Sequence, residues 1–353
     1  MIQSLPKYRS LSRLLSPPVL TLLLAVSALC ALLIGAYSLP VQQVGLVMGE
    51  QLLGLEAGLP QTLSYLVWDI RLPRILLSVF VGGGLAIAGA AVQGLFRNPL
   101  ADPALIGVTS GAMVFAVAGI LFSASVLGAI GSWLGYATVT VMAFTGSLLT
   151  TFLVYWLASS KGYTSVVTML LAGVAITALG GALTGLMTYF SDEDELRDIT
   201  FWTLGSLGGA NWQMVALLVP LVLLPAFILW RQSSQLDLLL LGEREAAYTG
   251  VNTQRTKWIV IGCAALIVGA CVAVSGVIAF VALVVPHLVR LIQGPRHRSL
   301  LLGSALLGGL LMVWADTAAR TLIAPAELPI GILTALLGAP FFIWLLLKTK
   351  RSL

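Results

Sequence analysis

Residues 73–95 read PRILLSVFVGGGLAIAGAAVQGL, an apolar run whose single charged residue is Arg74. A helix needs about 20 mostly apolar residues to span the hydrocarbon core of a bilayer. Comparable runs recur along the chain at 19–38, 103–122, 134–158, 164–190, 213–230, 257–275, 276–293, 299–323 and 329–347. The sequence therefore predicts an all-α polytopic membrane protein with about ten transmembrane helices.

The composition agrees with a chain embedded in lipid. Of 353 residues, 59% are apolar and 9% are charged, and the mean hydropathy is +1.01. Cys30, Cys263 and Cys271 lie within apolar runs, so neither a disulfide framework nor a zinc site is expected. The first run is long and is followed by more membrane sequence, which argues against a cleaved signal peptide.

The basic residues predict the orientation of the chain. Of its 19 Lys and Arg residues, only Arg71, Arg74, Arg197 and Arg320 fall in loops on one side, which also carries the acidic run 192–195. The others fall in the two tails and the alternate loops. By the positive-inside rule, both termini are predicted to be cytoplasmic. The net charge of +5 then reflects orientation, and no nucleic-acid partner is expected.

The chain is predicted to form one transmembrane domain over residues 1–353. Its cytoplasmic parts would be a tail at 1–18, a loop at 231–256 and a tail at 348–353. Lipid would surround the rest.

Small residues spaced four apart predict close helix contacts, because they let two backbones approach. Two such stripes are present: Gly82, Ala86, Ala90 and Gly94, then Gly173, Thr177, Gly181 and Gly185. The alternative is chance, since the chain contains 36 glycines.

A second pattern indicates an internal repeat. Residues 86–89 (AIAG) and 273–276 (AVSG) are each followed by a proline ten residues after the glycine, Pro99 and Pro286 respectively. The segments fall in predicted spans two and seven, which cross the membrane in opposite directions, as in the inverted repeats of transporters. A chance match between two helices rich in Gly and Ala remains the alternative.

The sequence contains no obvious catalytic or energy-coupling chemistry. No G-x-x-x-x-G-K-[ST] phosphate loop occurs, so the chain is not expected to bind ATP by itself. Asp316 is the candidate for a buried carboxylate, either in a structural hydrogen bond or in a proton relay. His287 and His297 are separate in sequence and are interpreted as structural, so no metal site is predicted.

The loop between Arg231 and Lys257 is the exception to this pattern. Residues 236–251 (LDLLLLGEREAAYTGV) predict a short amphipathic helix that ends at Gly250. Such a helix could dock into a groove on a cytoplasmic partner. The alternative is an interfacial helix that rests on lipid headgroups.

Five motifs occur in order along the chain: RLPR (71–74), QGLFRNPLADP (93–103), GEREAA (242–247), PHLVR (286–290) and ELPIG (327–331). Together they resemble the FecCD/BtuC-type permeases of ATP-binding-cassette importers for iron siderophores, heme and cobalamin. The resemblance covers roughly residues 65–350. It implies a homodimer with one translocation path, two cytoplasmic ATPase subunits that carry ATP and Mg, and a periplasmic substrate-binding protein. No cofactor bound by this chain is implied.

The resemblance also implies roles for particular residues. The ATPase-coupling helix would contain Gly242, Glu243, Glu245, Ala246, Ala247 and Gly250. Arg71, Arg74 and Arg320 would dock acidic residues of the binding protein, with snorkelling to lipid headgroups as the alternative. Arg197 would face the substrate entrance or form a local salt bridge. Thr164 and Ser165 would lie at the cytoplasmic gate.

The resemblance implies a protein of the cell inner membrane, and residues 95–103 and 195–209 look most like the heme-uptake branch. Ferric siderophores and cobalamin are the alternatives. An ion-coupled secondary transporter and an intramembrane enzyme are the competing classes. The first would need an unpaired ionisable residue at mid-membrane and the second a polar catalytic cluster.

Overall fold

Each of the ten apolar runs coincides with an α-helix in the computed structural model, which describes residues 16–35, 37–54, 58–122 and 137–350. Residues 1–15 and 351–353 of the predicted tails lie outside the described residues. In chain order the helices are α1 (Pro17–Leu33), α2 (Val41–Leu53), α3 (Gln61–Leu95), α4 (Val108–Phe122), α5 (Ala137–Ala158), α6 (Val166–Tyr189), α7 (Glu193–Leu204), α8 (Trp212–Arg231), α9 (Ser233–Leu239), α10 (Glu243–Tyr248), α11 (Thr253–Ser275), α12 (Val281–Gln293), α13 (His297–Ala319) and α14 (Ile330–Lys350).

Helix length separates two groups of apolar helices. Within the described residues, α3, α5, α6, α8, α11 and α13 are long and apolar enough to cross a membrane. The shorter apolar helices are α1, α4, α12 and the part of α14 that ends at Trp344. Helix α3 contains a π-helical turn at Leu66–Arg71, which re-aims its first residues.

The strands β1 (Ser159–Ser160) and β2 (Tyr163–Thr164) form a small antiparallel hairpin between α5 and α6. Ser159 pairs with Thr164, and Ser160 pairs with Tyr163. Lys161 and Gly162 make the turn with positive φ angles of 52° and 79°. We call residues 159–164 the hairpin.

The predicted helices at 103–122 and 276–293 are each shorter than expected. Helix α4 follows a 3-10 turn at Pro103–Ile106 and Gly107, whose φ is +79°. Helix α12 starts only at Val281, because Gly276 (φ +68°) ends α11 and Phe280 is also left-handed. The first residues of each predicted span, before Val108 and before Val281, therefore do not form α-helix.

The short helix α12 begins inside the bundle. Gln93 Nε2 of α3 donates to the Leu283 carbonyl at 3.1 Å, and a Cβ on Gly89 would collide with the Ala282 carbonyl. A cavity of about 230 Å³ lies beside the starts of α4 and α12, and Asp102 and Phe280 contribute to its lining. Broken helices of this kind are tolerated at membrane depth because they are enclosed by protein.

The two predicted stripes of small residues have different outcomes. The stripe on α3 is buried and packs closely, since a Cβ on Gly82 would strike the Gly308 backbone of α13. On α6, Gly173 packs against the Leu105 carbonyl, but a Cβ built on Gly181 or Gly185 would meet nothing within 4 Å. Within the chain, the second stripe is therefore a contact only at its first residue, because α6 lies at the edge of the bundle and leaves the positions of Gly181 and Gly185 uncovered.

Helices α3 and α11 run antiparallel, as the repeat prediction requires. Cys271 Sγ lies 3.8 Å from the Val81 carbonyl, while a Cβ on Gly84, later in α3, would lie 3.0 Å from Ile267, earlier in α11. The matched segments differ locally, because Gly89 lies inside α3 whereas Gly276 ends α11. The polar residues gather at the two ends of this antiparallel bundle.

Candidate functional sites at the two ends of the bundle

The loop 231–256 forms two short helices, where one amphipathic helix over 236–251 was predicted. Gly242, with φ 127° and ψ 152°, separates α9 from α10 because no helix accommodates that backbone conformation. The predicted end at Gly250 is correct. Val251 N donates to the Ala246 carbonyl at 3.1 Å and Gly250 N to the Ala247 carbonyl at 3.0 Å, a Schellman motif with Gly250 left-handed.

Helix α10 has a buried side and an exposed side. Ala246 is fully buried, and Glu243 points into the protein. Glu245, Ala247 and Tyr248 are exposed, Tyr248 at 85%. Of the residues predicted to couple to an ATPase, Glu245 and Ala247 are therefore accessible to a partner, while Glu243 and Ala246 hold the helix in place.

A buried lysine connects α10 to the hairpin. Lys257, in the first turn of α11, is 1% exposed and donates to Glu243 Oε2 and to the Thr164 carbonyl, both at 2.7 Å. Tyr163 OH donates to the same Glu243 oxygen at 3.1 Å. That carboxylate raises the pKa of the Tyr163 phenol, which keeps the phenol protonated as a donor.

The predicted gate residues lie at this junction. Thr164 is buried, and its N–H donates to Gln254 Oε1 at 2.9 Å. Ser165 caps α6 by accepting a hydrogen bond from Thr168 N at 3.2 Å. The gate role stays a prediction, but Lys257 links the Thr164 carbonyl to Glu243 of α10.

His297 ties α9 to α13 at the same end. Its Nδ1 lies 2.7 Å from Asp237 Oδ1, its backbone N donates to that oxygen at 2.8 Å, and its ring is fully buried against Gly94. This geometry agrees with a structural role. His287 lies apart, on α12, and among the described residues no three His, Cys, Asp or Glu side chains are placed to hold a metal ion.

The three predicted docking arginines lie at the opposite end and are all buried. Arg71 donates to the carbonyls of Leu32 (2.6 Å), Leu33 (3.3 Å) and Tyr37. Arg320 Nη2 donates to the Ala31 carbonyl at 2.5 Å. Two cations thus satisfy the carbonyls at the C-terminal end of α1, where the helix dipole is negative.

Arg74 is held by two carboxylates. Its Nε donates to Asp316 at 2.9 Å, and its Nη1 and Nη2 form a bidentate pair with Glu327 at 2.9 and 3.0 Å. The Glu327 side chain is 45% exposed, so a carboxylate covers the guanidinium. The docking role of the arginines stays a prediction, and the structure places Glu327 between Arg74 and any partner. We call Arg71, Arg74, Asp316, Arg320 and Glu327 the arginine cluster.

Arg197 forms the local pair that was one of its two predicted roles. Its Nη2 lies 3.4 Å from Asp194 Oδ1, one turn earlier on α7, and both side chains are exposed. An exposed pair of this spacing contributes little stability. The entrance role is untested and stays a prediction.

Sequence reasoning missed the roles of Lys257, Asp237 and Asp102. Lys257 was counted as a loop cation, although it begins an apolar run, and a charge inside such a run is the signal that could have indicated burial. Asp102 accepts from Ala104 N at 2.8 Å and borders the cavity. Its aspartate-proline sequence before a helix is a recognisable cap.

In the part of the chain that the structure describes, ten apolar helices packed through glycines, with a helix pair in a polar loop at one end, define a polytopic membrane protein of the permease class. The chain belongs to the FecCD transport family, whose model matches residues 23–348. The resemblance inferred from the five motifs is therefore confirmed.

Three relatives carry different named substrates. The chain is 47% identical over 289 residues to the hemin transport system permease protein HmuU of Yersinia pestis, covering 81% of this chain and 84% of the relative. It is 44% identical to the cobalamin import system permease protein BtuC of Halobacterium salinarum, covering 83% and 76%. It is 39% identical to the molybdate import system permease protein MolB of Haemophilus influenzae, covering 94% and 95%.

A solved structure has the same fold. An inward-facing ABC transporter described as metal-chelate type is 37% identical, with a TM-score of 0.78 over 93% of this chain and 97% of that chain. The chain is thus a membrane-spanning permease of an ATP-binding-cassette importer.

Proposed function

We propose that this chain moves heme across the cytoplasmic membrane as the permease subunit of an ATP-driven importer. The observation that carries the proposal is the 47% identity to a hemin permease, together with the motifs at 95–103 and 195–209. Ferric siderophores and cobalamin are the alternative substrates within the same mechanism. Of these two alternatives, cobalamin is favoured by the relative named as a cobalamin permease, which is 44% identical.

The energy source in this proposal is a separate cytoplasmic ATPase that docks on α10. The exposed Glu245, Ala247 and Tyr248 provide its contact surface. Asp316, the candidate for a proton relay, is paired with Arg74 at 2.9 Å and lies 3.7 Å from Arg320. Both Asp316 oxygens thus face arginines of the same chain, which favours a structural ion pair over a proton relay and disfavours an ion-coupled mechanism.

The end that carries α10 would face the cytoplasm. Lys161 and Arg244 lie at this end together with Arg97, which approaches Gly242, and Arg298, which stacks on Trp230 at 5.1 Å. By the positive-inside rule, this accumulation of basic residues supports cytoplasmic termini. The arginine cluster would then face the periplasm and a substrate-binding protein.

A homodimer is part of the proposal, and the uncovered face of α6 supports it. A Cβ built on Gly181 or Gly185 would meet nothing within 4 Å, and Leu171, Val174 and Leu186 of the same helix are exposed. Small residues on an open helix face suit close approach of a second transmembrane helix. The translocation path would follow this interface.

The deciding experiment is uptake into proteoliposomes that contain the permease, its ATPase and its binding protein. ATP-dependent accumulation of heme, well above that of a ferric siderophore and of cobalamin, is the expected result. Preference for another of the three would reassign the substrate. Uptake driven by a proton gradient without ATP or ATPase would overturn the importer mechanism.

Replacing Glu245 by Ala is expected to lower transport-stimulated ATP hydrolysis about tenfold, because an exposed charge on the docking helix is lost, equivalent to ~1.4 kcal/mol. Glu193→Ala is the matched control, since Glu193 is an exposed glutamate at the opposite end. Unchanged stimulation in Glu245→Ala, measured by phosphate release from the assembled complex, would remove this side chain from coupling.

A further inference from the structure

The ammonium of Lys257 lies where three separate segments meet. It contacts α10 through Glu243 and the hairpin through the Thr164 carbonyl, each at 2.7 Å, and it is carried by α11. It also lies 4.8 Å from the centroid of the Tyr163 ring, within range of a cation–π contact. Among the described residues, the hydrogen-bond, ion-pair and ring partners of the ammonium thus belong to α10 or to the hairpin.

The hairpin side of this junction is fixed at both backbone groups of Thr164. The carbonyl accepts from Lys257, and the N–H donates to Gln254 Oε1 at 2.9 Å. The Thr164 hydroxyl lies 3.1 Å from Tyr155 OH and 2.9 Å from Ser159 Oγ. The start of α6 therefore follows any displacement of this strand.

Burial makes the junction resist separation. Lys257 is 1% exposed, so its ammonium has lost its hydration, and Glu243 is the carboxylate that neutralises it. If α10 moved away from the hairpin, an uncompensated charge would remain inside the protein, which is strongly unfavourable. A junction held only by apolar contacts would not impose this penalty on relative movement.

We infer that Lys257 is a positioning residue that makes α10 and the hairpin move as one body, so that displacement of the docking helix is transmitted to the cytoplasmic end of α6. Transmission of ATPase movement rests on the proposed function. The mechanical connection itself does not, because it depends only on contacts within this chain.

The connection also explains why one face of α10 is exposed while the other contacts the protein interior. Glu245 is exposed and free to contact a partner. Glu243 lies two residues earlier, on a different face of α10, and contacts Lys257. A partner that pushes on the exposed side therefore acts through Glu243 and Lys257 on Thr164.

The first test measures distances in the full-length chain in lipid nanodiscs. Spin labels replace the exposed residues Arg244 on α10 and Lys161 in the hairpin, in a cysteine-free background. Pulsed electron resonance should give a narrow distance distribution for the parent protein and one at least twice as wide for Lys257→Met. An unchanged width in a folded Lys257→Met protein would overturn the inference, without bearing on the transported substrate.

The second test uses the assembled complex. Between nucleotide-free and ATP-bound states, the 244–161 distance in the otherwise unmodified complex should change by less than about 2 Å, while both labels move relative to one on Arg298. Movement of α10 relative to the hairpin by more than this would overturn the inference. Because this measurement needs no Lys257 variant, it holds even if Lys257→Met fails to fold.

The third test separates transmission from simple stability. Glu243→Gln keeps the hydrogen bond but removes the neutralising charge, and it should lower the substrate moved per ATP at least fivefold with ATP hydrolysis retained. Glu193→Gln, the same substitution at an exposed glutamate of the opposite end, is the control and should keep this ratio. Equal ratios in both variants would overturn the inference, whereas absence of ATP-driven uptake in the parent complex would instead contradict the proposed function.

Discussion

Replacing Asp316 by Asn is expected to lower the free energy of unfolding by about 3–5 kcal/mol, the cost typical of removing one partner of a buried ion pair. The arginine cluster contains three cations, Arg71, Arg74 and Arg320, balanced by Asp316, Glu327 and the carbonyls at the end of α1. The variant leaves one carboxylate for three buried guanidinium groups. Helix α1 should be the first element to detach, because Arg71 and Arg320 hold its C-terminal carbonyls.

Thermal unfolding in detergent, followed by the loss of folded protein on size exclusion, measures this effect. Asp198→Asn is the control, because Asp198 is an exposed aspartate on α7 at the same end. It should change stability by less than about 0.5 kcal/mol. An Asp316→Asn protein as stable as this control would mean that the cluster does not depend on its internal carboxylate.

Replacing Gly82 by Ala is expected to destabilise the protein by about 2–4 kcal/mol, because the added methyl group meets backbone that cannot rotate away. A Cβ at this position lies 2.5 Å from Met312 Cγ and 2.6 Å from Met312 Cβ, and it collides with the Gly308 carbonyl. Overpacking of a tight contact typically costs 1–3 kcal/mol, and contact with backbone raises this to about 4 kcal/mol. Helices α3 and α13 would be forced apart along their crossing.

Gly262→Ala provides a matched control for this substitution. Gly262 lies inside α11, is exposed, and has nothing within 4 Å of its would-be Cβ. Both changes gain the same helix propensity, about 1 kcal/mol in favour of Ala, so their difference isolates the steric effect. Equal melting temperatures for the two variants would contradict the close approach of α3 and α13.

Much of the fold could be predicted because the membrane imposes simple rules. A run such as 73–95 can satisfy its backbone in hydrocarbon only as a helix, so length and composition suffice. The family followed from motifs with fixed order, RLPR at 71–74 and ELPIG at 327–331 among them. The end of α10 at Gly250 followed from local chemistry, since a left-handed residue suits glycine.

The break before α12 could not be predicted in this way. The end of α11 at Ser275 agrees with the predicted span 257–275, but residues 276–280 are as apolar as the helices around them and were therefore included in the predicted span 276–293. The structure ends α11 there because the Ser275 carbonyl accepts from Ser206 N at 2.8 Å, and Gly276 packs against the Trp202 carbonyl. Those partners lie on a different helix and the loop that follows it, which no local pattern reveals.

The polar sites likewise combine features that the sequence predicts with contacts that only the tertiary structure reveals. The sequence by itself determined the number and approximate extent of the apolar helices, the charge asymmetry, the family and the position of α10. Only the tertiary structure decided that Arg74 is held by Asp316 and Glu327, and that Lys257 joins Glu243 to Thr164. The physical reason is that transfer into lipid is a property of each segment alone. Pairing of buried charges instead depends on distant segments that only the packed bundle brings together.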